Sequence, residues 1–267
     1  MPQKLTILKL GGAVVTHKKR GGGLNKKVVQ RVAQEIKSAL GKKPQSLILV
    51  HGAGGKAHGL AHRFGLQKGA PDAKAIQGAL QTHREVGCLQ QDIAFILNQA
   101  GLPIVPLPSA SLFYYQNGKL NFCGSKLVGE ILKKGWIPLL NGDMVLDQQK
   151  NFSILSGDTI AAVCAEKFGA DLILFATDVD GVYTSNPHQD KSARLLKKIN
   201  PKVIQTLSKK VSASPTSRDT TGEMMGKLAK LTGIDSKATT RIFNGLKAGN
   251  ITAALTGKSV GTAITLR

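Results

Sequence analysis

Two glycine-rich turns, each directly after a run typical of a buried strand, most strongly constrain how this chain can fold. The first run, Leu5–Leu10, leads into Gly11-Gly12, and the second, 47–50, leads into the His-Gly-Ala-Gly-Gly segment at 51–55. A strand that ends in glycines and opens a helix exposes backbone N–H groups at the positive end of that helix, where phosphate binds readily. Two such turns in the first quarter of the chain predict two phosphorylated ligands held close together, as a phosphoryl transfer requires.

Alternating strand-like and helix-like segments predict an α/β fold with a largely parallel sheet covered on both faces. The predicted strands are 5–10, 47–50, 104–107, 137–140, 171–176 and 261–266, with an Asn-Gly hairpin joining 112–115 to 120–122. The predicted helices are 26–40, 75–100, 159–168, 226–231 and 251–255. Ligands collect at the carboxyl ends of strands in such sheets, so we expect both glycine turns to open on one crevice.

Composition indicates a globular chain of 267 residues, which is long enough to bury a sizeable core. We expect one domain, 1–267, whose two lobes divide near residue 170. No apolar stretch approaches the ~18 residues of a membrane helix, and the first strand begins too early for a signal or transit peptide. Three cysteines, Cys88, Cys123 and Cys164, lack paired metal-ligand spacing, which is typical of reduced thiols in a cytoplasmic protein.

The formal net charge of +21 raises the question of nucleic acid as a partner. The excess is spread over lysine doublets at 18–19, 26–27, 42–43, 133–134, 197–198 and 209–210. No arginine-rich tract accompanies them, and aromatic residues make up only 4% of the chain, too few for an aromatic-interleaved basic strip. A solvated basic surface that attracts anionic substrates is therefore the favoured interpretation, and a nucleic-acid-binding protein is a remote alternative.

Two lysines near the first turn are candidates for neutralising phosphate. Lys9 ends the first strand, where burial of its charge would be costly without an anion such as a transferring phosphoryl group. Lys18 lies in a basic loop before Gly21–Gly23, and that loop is either simply solvated or carries a mobile cation that closes over the reactants. The Walker A pattern and the dinucleotide fingerprint are both missing, which disfavours the two commonest phosphate-loop families.

Two histidines follow the second turn with the spacing of one helix face. The segment from His58 to His62 carries no carboxylate, so a zinc-protease site is not indicated and no metal site is predicted. His58 lies one helical turn beyond the glycines, where it could donate a hydrogen bond to a phosphate held there.

Acidic residues and a third lysine complete the candidates. Asp158 opens a helix, either as part of its cap or as the carboxylate that fixes two lysines. Asp178 and Asp180 follow a strand, where they either contact nucleotide or shape the turn. Lys227 follows Gly222 and Gly226 in the sequence and is a third lysine that could meet phosphate.

No catalytic triad is evident, and the proposed chemistry does not require one. Phosphoryl transfer depends on positioning and charge neutralisation, and a phosphate monoester acceptor, with a second pKa of about 6, needs no general base.

With these residues in place, the chain resembles the amino acid kinase superfamily and, within it, the isopentenyl phosphate kinases. The motifs that carry the resemblance are Lys9–Gly12, Val50–Gly54, Asn141–Asp143, Ser156–Asp158, Thr177–Thr184 and Thr221–Lys227. His58, Lys18 and Asp219 are the residues that point to the isopentenyl phosphate kinase branch.

The resemblance implies an αβα sandwich with an acceptor lobe at about 1–170 and a nucleotide lobe at about 171–267. It also implies a cytoplasmic homodimer that uses ATP and Mg²⁺ to convert isopentenyl phosphate to isopentenyl diphosphate in isoprenoid biosynthesis. The catalytic residues implied are Lys9, Lys18, His58, Asp158 and Lys227. The acceptor-binding residues implied are Ala53, Gly54, His58 and Gly157, and the nucleotide-binding residues are Lys9, Gly11, Gly12, Asp178, Tyr183, Gly222 and Lys227.

The chain departs from the family pattern at three places. Lys56 and Ala57 precede His58 where the family usually has an aromatic residue, Glu223 replaces a second glycine, and Ala13 replaces a serine. A fosfomycin kinase, or a branch acting on carbamate, glutamate or UMP, stays open as an alternative. We also expect the acceptor's tail to lie along the predicted 75–100 helix, near Leu80, Val86 and Ile93.

Overall fold

The computed structural model describes residues 4–17, 22–185, 187, 190–212, 226, 228 and 238–265, with the side chains of 208–212 left out. The strands are β1 Leu5–Leu10, β2 Ser46–His51, β3 Ile104–Pro106, β4 Phe113–Gln116, β5 Lys119–Phe122, β6 Ile137–Asn141, β7 Asp143–Asp147, β8 Asn151–Leu155, β9 Leu172–Thr177, β10 Lys198–Ile199, β11 Thr239–Asn244 and β12 Thr262–Ile264. The α-helices are α1 Gly12–Val15, α2 Lys26–Lys42, α3 Gly54–Arg63, α4 Ala73–Gln99, α5 Ser125–Lys133, α6 Gly157–Phe168, α7 Pro201–Ser212 and α8 Asn250–Leu255.

Eight of these strands form one mainly parallel sheet in the order β10-β12-β11-β9-β1-β2-β6-β3. The β11–β12 pair alone is antiparallel among the paired strands described in this sheet. In this strand order, the strands before residue 170 form one half of the sheet and those after it form the other half. The two halves meet where β1 pairs with β9. A second sheet of four strands, in the order β5-β4-β7-β8, lies within the first part of the chain.

The central strand explains why the large sheet is covered on both faces. All six residues of β1 are buried, as expected for an inner strand of a parallel sheet. Its alternate side chains enter two separate cores, with Ile7 in one and Leu8 in the other. Helices α5 and α6 contribute to the first core, and α2 and α4 to the second. The helix–sheet–helix layering confirms the predicted αβα sandwich.

Side-chain caps set the starts of two helices, α6 and α4. Ser156 accepts a hydrogen bond from the Thr159 backbone N–H at 3.2 Å and so begins α6, while Asp72 accepts one from Ala75 at 2.8 Å and begins α4. The predicted hairpin is confirmed, because Asn117 and Gly118 have φ of 51° and 72°, as a two-residue turn of this kind requires.

Some predicted elements were incomplete. The sequence analysis did not predict the short strands β7 and β8 or the strand β11. The predicted closing strand, 261–266, is shorter in the structure and forms β12. Most of the predicted 226–231 helix lies outside the described residues. Among the helices that the structure describes, none combines the length and hydropathy that a membrane span requires.

Candidate active site

The two glycine turns touch each other at the carboxyl ends of adjacent parallel strands β1 and β2. A β-carbon on Gly52 would lie 2.6 Å from the backbone nitrogen of Gly12, and one on Gly12 would lie 3.2 Å from that of Gly54. The distance at Gly52 is too short for a side chain, so glycine is required there, and the distance at Gly12 is tighter than an ordinary contact. The two predicted phosphate-binding turns therefore form one continuous backbone surface.

Lys9 and Asp158 form a buried ion pair beside these turns. The Lys9 Nζ atom lies 2.8 Å from Asp158 Oδ1, and the side chains are only 6% and 10% exposed. Lys9 comes from the end of β1, whereas Asp158 lies in the first turn of α6. A lysine so deeply buried needs a negative partner. The structure thus places Asp158 against Lys9, and the organising role of this carboxylate stays a prediction.

Glycines bring the start of α6 against the ends of β2 and β6. The Gly142 N–H donates to the His51 carbonyl at 2.9 Å. A β-carbon on Gly142 would lie 2.9 Å from the Gly157 nitrogen, and one on Gly157 would lie 3.1 Å from the His51 carbonyl oxygen. The N-terminus of α6, which is the positive end of the helix dipole, is consequently fixed next to Lys9.

His51 is a neutral, wholly buried member of this region. Its Nδ1–H donates to the Gly52 carbonyl at 2.9 Å, while Nε2 has no hydrogen-bond partner among the described residues. Burial, reinforced by the nearby charge of Lys9, lowers the pKa of His51 from 6.5 to about 4. The imidazole therefore adds no positive charge to the site at neutral pH.

Helix α3 carries the histidine that was predicted to bind the acceptor. His58 is exposed and stands in the second turn of α3, which begins at Gly54 directly after Ala53. Lys56, the extra cation, is also exposed and lies 3.8 Å from Glu85 of α4, so the departure from the family pattern is partly neutralised. The first turns of the helix thus lie next to the second glycine turn, and neither Lys56 nor His58 is buried.

The segment after β9 holds two of the predicted nucleotide-binding residues. Asp178 and Tyr183 are both partly buried. Asp180 accepts hydrogen bonds from Lys247 at 2.9 Å and from the Asn244 amide at 3.0 Å, and the Lys247 hydrogen bond lowers the pKa of Asp180 below its usual value. These contacts favour a turn-shaping role for Asp180. The first glycine turn contacts the end of β9, because the Gly11 N–H donates to the Ala176 carbonyl at 2.8 Å.

Three of the predicted site residues, Lys18, Gly222 and Lys227, lie outside the described residues, as do Asp219 and Glu223. The three-lysine cluster therefore stays a prediction, of which the Lys9–Asp158 pair is the part described.

Sequence reasoning missed a polar network that links α4 to the end of β6. Gln90, wholly buried, donates to the Asn141 side chain at 2.9 Å, and His83 contacts Asp143 at 2.9 Å. The available signal at Gln90 was its position on the apolar stripe of α4, where a polar residue indicates a buried hydrogen-bond partner. His83 gave no such signal, because its partner lies on a strand that was not predicted.

The expectation that Leu80, Val86 and Ile93 of α4 together line a pocket for the acceptor's tail was wrong. Leu80 is 52% exposed, whereas Val86 and Ile93 are buried, and Ile93 belongs to the core beneath the sheet. These three side chains cannot share one pocket, because Leu80 projects from a different side of the helix.

Two contacting backbone turns, a buried lysine–aspartate pair and a fixed helix N-terminus together can hold two phosphate groups side by side and neutralise charge between them. Comparison with protein families matches residues 4–244 to the amino acid kinase family. The chain belongs to the amino acid kinase family.

Proteins named isopentenyl phosphate kinase are similar to this chain over nearly its whole length. An isopentenyl phosphate kinase of Methanothermobacter thermautotrophicus is 32% identical, with 98% of this chain and 99% of that protein covered. One from Methanocaldococcus jannaschii is 34% identical, with 97% and 98% covered. A crystal structure of an isopentenyl phosphate kinase superposes with a TM-score of 0.82 at 29% identity, covering 98% of this chain and 100% of the other. The predicted family resemblance is therefore confirmed.

Proposed function

We propose that this amino acid kinase transfers the γ-phosphoryl group of ATP to isopentenyl phosphate, giving isopentenyl diphosphate and ADP in isoprenoid biosynthesis. The observation that carries the proposal is the buried Lys9–Asp158 pair at the junction of two contacting glycine turns. Full-length similarity to isopentenyl phosphate kinases supports the choice of acceptor.

The acceptor's phosphate is assigned to the second glycine turn. Backbone groups of Ala53, Gly54 and Gly157 would surround it, and His58 would donate a hydrogen bond from the exposed side of α3. The first two are supported by their place at the start of α3, and Gly157 by its place in the first turn of α6.

In the transfer step, an oxygen of the acceptor phosphate bonds to the γ-phosphorus as the bond from that phosphorus to the ADP oxygen breaks. Lys9, together with Lys18 and Lys227, would neutralise the charge on the phosphoryl oxygens, and Asp158 would hold Lys9 in place. The acceptor is already ionised near neutral pH, so the proposal includes no general base.

The nucleotide is assigned to the first glycine turn and the turn after β9. Gly11 and Gly12 would meet its phosphates, while Asp178, Tyr183 and Gly222 would contact the rest of the nucleotide. Mg²⁺ would bind the phosphate oxygens of ATP, while Asp158 is paired with Lys9 and is assigned no metal ligation. Bound there, the metal would neutralise charge on the β- and γ-phosphates.

The organisation of the enzyme is part of the same proposal. We assign the acceptor lobe to about 1–170 and the nucleotide lobe to about 171–267, which agrees with the placement of early and late strands on opposite sides of the sheet. A cytoplasmic homodimer is proposed on the basis of the family resemblance.

An ATP-consumption screen with purified protein tests the function directly. The panel is isopentenyl phosphate, dimethylallyl phosphate, fosfomycin, carbamate, glutamate and UMP, each with and without Mg²⁺. The proposal expects the highest kcat/KM with isopentenyl phosphate and formation of its diphosphate. Preferential turnover of fosfomycin or UMP would overturn the assigned acceptor. Salt-dependent retention of nucleic acid with no kinase activity would overturn the enzyme assignment.

A further inference from the structure

A hydrogen-bonded bracket joins α4 to the segment between β6 and β7. Its members are Gln90 and His83 on α4, and Asn141 and Asp143 on the strands. Gln90 Nε2 donates to Asn141 Oδ1 at 2.9 Å, and the Asn141 amide donates to Asp143 Oδ2 at 3.1 Å. His83 Nδ1 donates to the same Asp143 oxygen at 2.9 Å. The bracket therefore anchors both residues that flank Gly142.

The Asp143 carboxylate depends on this bracket because water does not reach it. Its side chain is 0% exposed, whereas that of His83 is 42% exposed. The remaining oxygen, Oδ1, accepts the Met144 N–H at 2.8 Å. His83 is thus the one partner of Asp143 among the described residues that can carry a positive charge, and hydrogen bonding to Asp143 raises the pKa of His83 above its ordinary value.

The bracket matters to the site because of what Gly142 touches. Gly142 donates to the His51 carbonyl and lies so close to Gly157 that no side chain fits between them. Any shift of Asn141 or Asp143 would carry Gly142 with it and displace the first turn of α6. That turn supplies the Gly157 backbone and carries Asp158, the partner of Lys9.

We propose that His83 is a positioning residue for the acceptor phosphate, acting through Asp143 and Gly142 on the Gly157 backbone. This inference rests on the proposed kinase function and on the acceptor contact assigned to Gly157. His83 itself does not touch the reactants in this assignment. Its contribution is to hold a backbone donor in register, and misplacement by even ~1 Å lowers the efficiency of an oriented reaction strongly.

The test compares His83→Leu with His83→Asn in the full-length enzyme. Leucine removes the hydrogen bond to Asp143, whereas the asparagine amide can replace the Nδ1–H. We expect His83→Leu to raise KM for isopentenyl phosphate about tenfold while KM for ATP changes less than about twofold, and His83→Asn to stay close to wild type. His62→Leu, at an exposed histidine of α3, is the matched control and is expected to behave as wild type.

A double-variant cycle separates the pairing from general damage. In Asp143→Asn the buried charge is removed, so adding His83→Leu should produce little further change in acceptor KM. Additive effects of the two changes would overturn the inference, as would an equal rise in both KM values for His83→Leu. Thermal unfolding of each variant identifies any that fails to fold, and His83→Asn then carries the comparison: a wild-type acceptor KM supports the inference, and a raised one overturns it.

Failure of the proposed function has a different signature. A wild-type enzyme that turns over no acceptor of the panel overturns that function and this inference together. An active wild type with an unchanged acceptor KM in His83→Leu overturns the inference alone.

Discussion

Two lysine–aspartate pairs described in this protein have the same separation of 2.8 Å between the lysine Nζ and the aspartate Oδ1 but opposite surroundings. The Lys9–Asp158 side chains are 6% and 10% exposed, whereas those of Lys247 and Asp180 are 60% and 34% exposed. Burial removes both charges from water, so loss of one partner leaves the other without compensation. The exposed pair is screened by solvent and salt. Equal distances therefore do not imply equal consequences, and the predictions below test that difference.

The largest effect is expected from Lys9→Met. Removing the amine leaves Asp158 buried and unpaired, which should lower the free energy of unfolding by about 3–5 kcal/mol. Turnover should fall about 10³-fold, because a group that neutralises the transferring phosphoryl is lost. Urea unfolding and steady-state kinetics measure the two effects. The Lys9→Met/Asp158→Asn double variant should regain stability without regaining turnover, and full activity in either variant would contradict the assignment.

His58→Ala asks whether an exposed hydrogen-bond donor can matter as much as a buried cation when its partner is a substrate. Loss of a hydrogen bond to the acceptor phosphate should lower kcat/KM for isopentenyl phosphate by about 10–10²-fold with little change in KM for ATP. His62→Ala, one turn further along α3, serves as the control. Unchanged acceptor kinetics for His58→Ala would remove this residue from the site.

Gly52→Ala examines the backbone contact next to the buried pair. The new methyl group would meet the Gly12 nitrogen at 2.6 Å. The free energy of unfolding should therefore decrease by about 1–3 kcal/mol. Gly59→Ala is the matched change within α3, where an added β-carbon would meet no atom within 4 Å beyond the adjoining residues and backbone of its own helix. It should instead stabilise the protein by about 0.5–1 kcal/mol, through helix propensity. Effects of the same sign would show that the turns are less tightly apposed than described.

The pH dependence of stability reports on the environment that Lys9 and burial impose on His51. The folded pKa, about 4, lies below the ordinary value of 6.5, so the unfolded chain binds more protons in that interval. The free energy of unfolding should therefore decrease as the pH falls from 6.5 to about 4. His51→Asn, which keeps a donor near the Nδ1 position, should flatten this part of the profile in chemical unfolding. An unchanged slope would mean that other groups account for it.

Lys247→Met should have the smallest effect. Because the lysine is solvated, its loss should change the unfolding midpoint only slightly at low NaCl and not measurably at high NaCl. A loss of stability that approaches that of Lys9→Met would break the contrast between the two pairs.

Local patterns were sufficient to predict the parts of the site that follow from strand ends. Lys9 and the glycine turns stand directly after continuous apolar runs, so their place at one edge of a parallel sheet could be inferred before any coordinates. Asp158 was a candidate for the same reason, because it opens a predicted helix. The sequence offered a transferring phosphoryl group as the anion for Lys9 and left Asp158 as either a cap or a carboxylate that fixes two lysines, so the direct pairing of Lys9 with Asp158 emerged only from the structure.

Other features depend on tertiary contacts that leave little trace in the sequence. The strands β7 and β8 are only five residues long, and their burial patterns lack a clean alternation that would indicate a half-buried strand. Without β7, nothing connected Asp143 with His83 on a helix 60 residues earlier. The error at Leu80 has a similar cause, because apolarity alone did not reveal which side of α4 meets the sheet.

The direct backbone contact between the two glycine turns also bears on how enzymes of this architecture can diversify. The phosphate binding proposed there would rely on main-chain atoms whose spacing is set by covalent geometry and by strand pairing, with the His58 side chain as an added donor. Under that proposal, substitutions around the rim would alter which molecule carries the acceptor phosphate while its main-chain anchoring stays the same. Selectivity and anchoring would then be encoded by different atoms, so one could change across descendants without the other.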